Sequence, residues 1–445
     1  MTPGSSGVGG WLDALRVYAE PRVARMLLLG FSAGLPLLLV LGTLSFRLRE
    51  AGIDRTTIGF LSWVGLAYGL KWAWAPLVDR LPLPLLTRTL GRRRSWLLAA
   101  QSVLIVGLAG MALTDAAENL PQLVGFAVLV AFASATQDIA LDAFRIESAD
   151  VSRQAAMAAA YQVGYRTAMI TASAGALWIA AAFDPDEATY QHAPWSVAYL
   201  CMAGLIGVGV ATVLLSTEPQ AVELAPQREG LAGWLRSAVL GPFLDFMQRY
   251  QWTAVLLLAL IATYRISDIV LGVMSNPFYR DMGFTKDEVA AISGVYGVLM
   301  TLVGAAVGGV LSLRYGVMRI LLLGAALSSV TNLLFAWLAT RGHDVPALVL
   351  AISADNLSAG IASAAFIAYL SGLTNVAYSA TQYALFSSIM LLLPKFVGGW
   401  SGLAVDSFGY PAFFIGTALL GVPVLALAWL AARAARQATM PGGGS

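Results

Sequence analysis

Asp138 and Asp142 lie four residues apart and share one helical face, with Gln137 just before the first and Arg145 three residues after the second. All four stand at the end of an apolar run that begins near Leu120 and is long enough to cross a bilayer. An ionised side chain inside a membrane helix costs roughly 2.5–3.5 kcal/mol on insertion scales, so the two acids need a use. An amide can hydrogen-bond a polar solute, and a buried carboxylate beside it can take up and release a proton. Six further ionisable residues fall well within apolar runs: Lys71, Arg166, Arg265 and Lys395 as bases, Asp268 and Asp355 as acids. Left unpaired, all eight would cost on the order of 25 kcal/mol, more than an ordinary domain has to spare. They must pair, face an interior, or line a wet cavity. Four bases beside four acids suit recognition of an anion coupled to proton movement. The alternative of a membrane-embedded enzyme lacks support. The two histidines, His192 and His343, lie outside the apolar runs, and no Cys–His set or phosphate-binding glycine loop is present. No metal and no cofactor are expected.

These side chains are carried by a chain built for lipid. Of 445 residues, 58% are hydrophobic and 12% charged, against about 25% charged in soluble domains. The mean hydropathy is +0.74. A net charge of +2, with no basic run that would track a phosphate backbone, argues against a nucleic-acid partner. The single cysteine, Cys201, lies within an apolar segment, so disulfides play no part. The first apolar run is a full span without a nearby cleavage site, which argues against a cleaved signal peptide.

Twelve apolar runs of spanning length can be drawn, over residues 24–46, 57–79, 95–114, 120–144, 154–182, 195–216, 252–278, 287–312, 317–339, 346–373, 376–402 and 409–432. Seventeen Lys and Arg residues border the termini and the loops after even-numbered spans, against six in the loops after odd-numbered ones, so both termini are expected in the cytoplasm. The expected organisation is a tail with a short interfacial helix over 1–23 and a six-helix bundle over 24–216. A cytoplasmic linker over 217–251, with amphipathic helices in its second part, leads to a second bundle over 252–432 and a tail over 433–445. A weak repeat supports this division. Asp79, Arg80 and Gly91-Arg92 follow span two, and Arg314, Gly316 and Arg319 follow span eight. Both resemble the Asp-Arg…Gly-Arg signature of major facilitator transporters, although Leu81 to Leu90 stretches the first copy. That resemblance implies an all-α membrane protein with the major facilitator fold, in which spans one, two, four, five, seven, eight, ten and eleven surround a cavity. All eight buried charges fall on those spans and none on the other four.

Spacing assigns some of them locally. Asp142 and Arg145 can meet at i,i+3 near the cytoplasmic rim and are expected to be structural. Arg265 and Asp268 have the same spacing at mid-membrane, where pairing and function are both open. Lys71 can snorkel from a lipid-facing position or face inward. Lys395 follows Pro394, which frees backbone carbonyls nearby. Asp138, Arg166 and Asp355 have no opposite charge close in sequence at a similar depth. Gly30-Phe-Ser-Ala-Gly34 in span one permits close helix packing. Trp72, Tyr161 and Tyr165 are aromatic faces on which sugar rings can stack, although lining a bundle is the commoner role.

Longer stretches carry a closer resemblance. Gly30-Phe-Ser-Ala-Gly-Leu-Pro-Leu37, Glu50-Ala-Gly-Ile-Asp-Arg-Thr-Thr-Ile-Gly-Phe60 and Lys71-Trp-Ala-Trp-Ala-Pro-Leu-Val-Asp-Arg80 resemble the AmpG muropeptide permeases. Gly91-Arg-Arg-Arg-Ser-Trp-Leu-Leu98, Ser134-Ala-Thr-Gln-Asp-Ile139, Asp142-Ala143 and Gly164-Tyr-Arg166 continue the match. So do Asn356-Leu357, Ser379-Ala-Thr-Gln-Tyr-Ala-Leu385 and Gly398-Gly-Trp400 in the second half. Arg47 departs from the pattern, standing where the family more often has an aromatic residue. Asp355 and Lys395 replace differently shaped equivalents. The resemblance implies a bacterial inner-membrane importer that takes GlcNAc–anhydroMurNAc peptides into the cytoplasm by proton symport, for peptidoglycan recycling. In some bacteria that recycling feeds β-lactamase induction. The wider family includes acetyl-coenzyme A transporters, so another anionic amphiphile such as a coenzyme A thioester or a siderophore is the alternative cargo. On this reading Gln137, Arg166, Lys71, Arg265, Lys395, Asn356, Tyr161, Tyr165, Trp72 and Gly34 serve the substrate. Asp138, Asp268 and Asp355 are the proton-coupling candidates, Asp138 foremost. Asp142, Arg145, Asp79, Arg80, Arg92 and Arg314 are structural or gating residues. The expected partners are a small-molecule substrate, protons and membrane lipid, with the chain acting as a monomer.

Overall fold

The computed structural model describes residues 20–148, 151–185, 189–219, 241–373 and 379–439. Among them there is no strand, and nine helical stretches are long and apolar enough to cross a membrane. The remaining expected spans are present as helices that are segmented, short or only partly described. Span two is the clearest case. It runs as Arg55–Leu61, a 3-10 turn over Ser62–Gly65, then Leu66–Leu70, a second 3-10 turn over Lys71–Ala73, and Ala75–Arg80. Of the expected linker helices, Gly241–Tyr250 is described, with Phe246 fully buried on Phe386 at 4.9 Å between ring centroids. The rest of that expectation lies in residues 220–240, outside the described residues.

The chain forms two compact units, and their boundary does not follow the midpoint of the sequence. One unit holds the chain up to Leu44 and Ala73–Glu223; the other holds Ser45–Trp72 and the chain from Leu224 onward. Both crossings fall beside irregular backbone. Span one starts with proline in the first turn of Pro21–Val40, breaks at Leu41 (φ −119°, ψ −91°) and resumes as Gly42–Glu50. Span two changes unit within its second 3-10 turn.

In the first unit, span one packs along span five with almost no space between the backbones. A Cβ on Gly30 or Gly164 would overlap the carbonyls of Tyr161 and Leu27, and one on Gly34 would stand 2.5 Å from the Tyr165 carbonyl oxygen. This is the small-residue packing that replaces a hydrophobic driving force in lipid. Gly34 is thereby placed as a packing residue that seats Tyr165. Span five passes through a π turn at Thr171–Gly175, where the Thr43 hydroxyl donates to the Ala172 carbonyl at 2.8 Å. At the inner rim, Arg93 holds Glu147 through Nε (3.0 Å) and Nη2 (2.6 Å), while Glu218 accepts the Arg93 and Arg94 backbone N–H groups at 2.7 and 3.1 Å. Arg92 contributes a looser 3.9 Å contact to Glu147. The charge-rich loop after span two thus ties together the inner ends of spans three, four and six.

In the second unit, span seven consists of Trp252–Thr263 and Ile266–Asp281, separated by a break at Arg265 (φ −98°, ψ 10°). Span eight runs through a capping box (Thr285 with Glu288) and a π turn at Ala290–Tyr296 into Gly297–Tyr315. Spans nine and ten are Val317–Leu338 and Val345–Leu373. Ser379–Gly398, Ser401–Leu419 and Gly421–Thr439 complete the chain, with a sharp bend at Gly409 (φ 79°) dividing span eleven from span twelve.

Candidate functional site

Within the first unit, the polar side chains concentrate where spans four and five meet span one. Span four is one uninterrupted helix, Leu120–Glu147, capped by Asn119 accepting from the Gln122 N–H. It presents Gln137, fully buried, with Oε1 accepting from the Ser32 hydroxyl at 3.4 Å and Nε2 without a hydrogen-bond partner. Asp138 follows, half-buried, and its carboxylate acts electrostatically on the hydroxyls of Tyr161 and Tyr165. Those rings lie 5.8 Å apart. Arg166 is adjacent to Tyr165. Its Nη1 lies 3.6 Å from Met169 Sδ, and among the described residues it makes no ion pair. One turn nearer the cytoplasm, Asp142 is exposed and its Oδ1 lies 3.6 Å from Arg145 Nη2. In this unit, therefore, the Asp138 carboxylate and the Arg166 guanidinium both act on the Tyr165 hydroxyl, next to the Tyr161 ring and the buried Gln137 amide.

The second unit disposes of its buried charges differently. The break in span seven makes Arg265 the residue before a new helix and places Asp268 in that helix's first turn, where the backbone dipole favours an anion. Arg265 Nε stands 3.1 Å from Asp268 Oδ2, and Arg265 Nη1 donates to the Ser363 hydroxyl at 2.8 Å. Asp268 Oδ1 is buried without a hydrogen-bond partner. Asp355 on span ten lies in the field of both Asp268 and Arg265 and within hydrogen-bonding reach of Thr331. Tyr264, beside Arg265, stacks on Phe366 at 4.4 Å and donates to the Leu321 carbonyl. Asn356 accepts from Thr301 at 2.9 Å and donates to the Ile352 carbonyl, joining spans eight and ten.

Other expected site residues are placed as follows. Lys395 Nζ donates to the Gly65 carbonyl at 2.9 Å and lies 5.3 Å from the Tyr68 ring centre. Its charge is engaged by a carbonyl that the 3-10 turn of span two turns outward. Lys71 and Trp72 sit in the second 3-10 turn, Lys71 half-buried without an ion pair among the described residues and Trp72 43% exposed. Arg314 is exposed, with its guanidinium 5.5 Å from the Tyr315 ring centre. The side chains of Asp79 and Arg80 lie outside the described residues. Sequence reasoning passed over Arg93, Glu147 and Glu218 at the inner rim, and a set of outer-end charges taken up below. The acids after spans four and six, set against three consecutive arginines, were the available signal.

The major facilitator superfamily model matches residues 26–267. The chain is 35% identical over 414 residues to the anhydromuropeptide permease of Escherichia coli K12, covering 93% of this chain and 80% of that one. It is 33% identical over 410 residues to the AmpG 4 transporter of Rickettsia felis, covering 92% and 96%.

This chain belongs to the AmpG transporters of the major facilitator superfamily.

Solved structures agree on the fold. A bacterial homologue of the human lysosomal transporter Spinster, in an inward-facing and unoccupied conformation, superposes with a TM-score of 0.70 at 14% identity, over 94% of this chain and 97% of that one. A D-xylose-proton symporter gives 0.66 at 12%, over 93% and 97%. The AmpG-family chain is accordingly an all-helical, multi-pass inner-membrane transporter of the major facilitator fold, and not an enzyme.

Proposed function

We propose that this AmpG-family transporter imports cell-wall-derived muropeptides, GlcNAc–anhydroMurNAc peptides, by proton symport and alternating access, supplying peptidoglycan recycling. The observation that carries the reading is the deep cluster on spans four and five. There Arg166 has no ion-pair partner among the described residues and follows Tyr165, which pairs with Tyr161 and lies in the field of both Arg166 and Asp138. A guanidinium held away from water is a strong receptor for a peptide carboxylate, because it offers two parallel donors to two oxygens. The tyrosine faces suit sugar rings, and Gln137 Nε2 is a spare donor for a carbonyl or hydroxyl. The similarity to an anhydromuropeptide permease supports the choice of cargo.

Proton coupling falls to Asp138 on this reading. With Arg166 engaged by substrate carboxylate, a nearby carboxylate loses a favourable field and takes up a proton more readily; when substrate leaves, it gives the proton back. Asp268 is held by Arg265 and is the second candidate, with Asp355 in the field of both. Lys71, Arg265 and Lys395 add positive potential, and Asn356 and Trp72 serve as supporting polar and stacking groups.

The decisive experiment is uptake of a radiolabelled GlcNAc–anhydroMurNAc tripeptide into proteoliposomes carrying an inward-directed proton gradient. Accumulation that an ionophore abolishes supports the proposal. Accumulation that survives the ionophore overturns proton coupling. Failure to take up the muropeptide, with uptake of acetyl-coenzyme A or a ferric siderophore instead, overturns the cargo.

A further inference from the structure

Two inner turns of the chain repeat one another but are neutralised differently. Gly91-Arg92-Arg93-Arg94 opens span three, and Gly316-Val317-Met318-Arg319 opens span nine. Both glycines have positive φ (87° and 88°), and each is followed by a helix of 22 residues whose first N–H groups have no partner within the helix. In the first unit the chain meets those donors with its own anion: the Glu218 carboxylate, just after span six, accepts from the Arg93 and Arg94 N–H groups. In the second unit no side-chain cap is made at the start of span nine among the described residues. The stretch after span twelve, which corresponds to that after span six, cannot supply one. The sequence holds no acid after Asp406, and none between Glu288 and Asp344.

The arginines at these inner ends divide the same way. In the first unit Arg92 and Arg93 face Glu147, Arg94 donates to the Val213 and Leu214 carbonyls at 2.9 and 2.8 Å, and Arg145 lies 3.6 Å from Asp142. In the second unit Arg314, Arg319 and Arg433 are exposed and make no ion pair among the described residues. Arg314 and Arg433 lie against aromatic rings, of Tyr315 at 5.5 Å and of Trp429 at 5.8 Å. Each of the three ends a stripe of exposed apolar side chains at helical spacing. The stripes run through Val303 and Val310 to Arg314, through Val330 and Leu323 to Arg319, and through Val422 and Trp429 to Arg433. On a multi-pass membrane protein such stripes meet acyl chains, which puts the three guanidiniums at headgroup level on the lipid side. Spans nine and twelve touch where a Cβ on Gly421 would overlap the Ser329 hydroxyl. From that level Arg319 is ten residues back along span nine and Arg433 twelve residues on along span twelve. Span nine rises from the inner side and span twelve returns to it, so both lie toward the cytoplasm by roughly 15 and 18 Å. Arg314 stands two residues before the Gly316 turn that opens span nine.

We propose that Arg314, Arg319 and Arg433, together with the start of span nine, bind the phosphate headgroup of an anionic phospholipid of the inner leaflet. The lipid phosphate supplies here the negative charge that Glu218 supplies in the first unit. A helix N-terminus offers an anion unpaired N–H donors and the positive end of the backbone dipole. Guanidiniums hold phosphate oxygens through parallel donors, and the Tyr315 and Trp429 rings suit the headgroup level, where one edge is apolar and the other wet. The apolar stripes select a lipid over soluble phosphate, because acyl chains gain a surface that a free ion cannot use. One unit thus carries its inner anion in its own chain, and the other takes it from the bilayer. The site lies on spans eight, nine and twelve, apart from the cluster on spans four and five, and is independent of the cargo.

The test is native mass spectrometry of the full chain in mild detergent, titrated with phosphatidylglycerol or with phosphatidylcholine of the same acyl chains. The parent is expected to hold phosphatidylglycerol the more tightly. A base beside anionic lipid is worth about fivefold in affinity, so Arg314→Gln, Arg319→Gln and Arg433→Gln should each weaken phosphatidylglycerol by about that factor and the triple variant by about 100-fold. Binding of phosphatidylcholine should not change. The triple lysine variant is expected to stay within about threefold of the parent, because it keeps the charge, so a loss confined to glutamine reads charge and not misfolding. Arg94→Gln, whose guanidinium is engaged by carbonyls, is expected to leave the lipid preference as it is. The site is overturned if the parent binds both lipids equally, or if the triple glutamine variant binds phosphatidylglycerol like the parent. A lysine variant that loses as much as the glutamine one, or an equal loss in Arg94→Gln, overturns it too. Inorganic phosphate that displaces phosphatidylglycerol at equal concentration would make the ligand a free ion and overturn the lipid. None of these measurements involves uptake, so their failure would leave the muropeptide assignment standing.

Discussion

Arg166 and Lys286 are both cations set among helices, and their surroundings are opposite. Lys286 is buried against Glu50 at 2.8 Å, in a lattice where Glu50 and Asp281 each hold two bases. Arg166 meets the Met169 thioether and makes no ion pair among the described residues, with Asp138 acting on the same tyrosine that it adjoins. Desolvated charge is costly in both places, so the difference lies in who neutralises it. At the outer rim the chain neutralises itself. On spans four and five the proposed function leaves the neutralising charge to substrate and proton. A span-seven residue sits between these extremes: Arg265 is paired with Asp268 and Ser363 yet still within the field of Asp355.

That contrast can be attacked from either side. The largest effect is expected from Asp138→Asn, which should abolish gradient-driven accumulation while leaving substrate exchange across the membrane measurable. Accumulation at the parental level would remove Asp138 from the coupling role. Next, Arg166→Ala should reduce uptake by roughly 100-fold, the loss expected when a desolvated charged hydrogen bond to a carboxylate is removed. Arg166→Lys should recover only part of it, since an ammonium cannot form the two parallel bonds. Initial rates of labelled muropeptide uptake decide this, and full recovery by lysine would show that simple charge suffices. Third, Glu50→Gln should cost stability of about 3–5 kcal/mol by leaving Lys286 buried without its acid, read as a lowered thermal unfolding temperature in detergent. A change near zero would mean that water already screens the pair. The smallest effect belongs to Asp142→Ala. Its carboxylate is 55% exposed, so the pair with Arg145 is worth about 0.2–1 kcal/mol before screening, and uptake should stay within about twofold of the parental rate. A loss as large as that for Asp138 would erase the distinction between the two acids of span four.

Much of the architecture was legible without coordinates, because the signals that carry it are local. A run of about 20 apolar residues crosses a bilayer whatever its neighbours are, and the Lys and Arg bias of the loops orients the whole chain. The i,i+3 spacing of Arg265 and Asp268 gave a possible contact that the broken helix realises at 3.1 Å. Less legible was the use of Lys395, whose Gly65 partner exists only because span two tightens into a 3-10 turn 330 residues away. Least legible were the outer-end ion pairs of Glu50 and Asp281. Their charges read as ordinary loop residues because the segments Arg49–Arg55 and Arg280–Lys286 differ in three of seven side chains beyond the conservative Glu/Asp and Arg/Lys exchanges.

By itself, then, the sequence determined that the chain crosses the membrane many times and confined its buried charges to particular apolar runs, since hydropathy and charge placement are properties of short windows. Only the tertiary structure decided which of those charges are already neutralised. It set Ser45–Trp72 with the second half of the chain, paired Glu50 with Lys286 and Asp281 with Arg49 and Arg55, and left Arg166 without an ion pair among the described residues. The physical reason is separation: those partners stand more than 200 residues apart, and no periodicity in the chain brings them together before the helices pack.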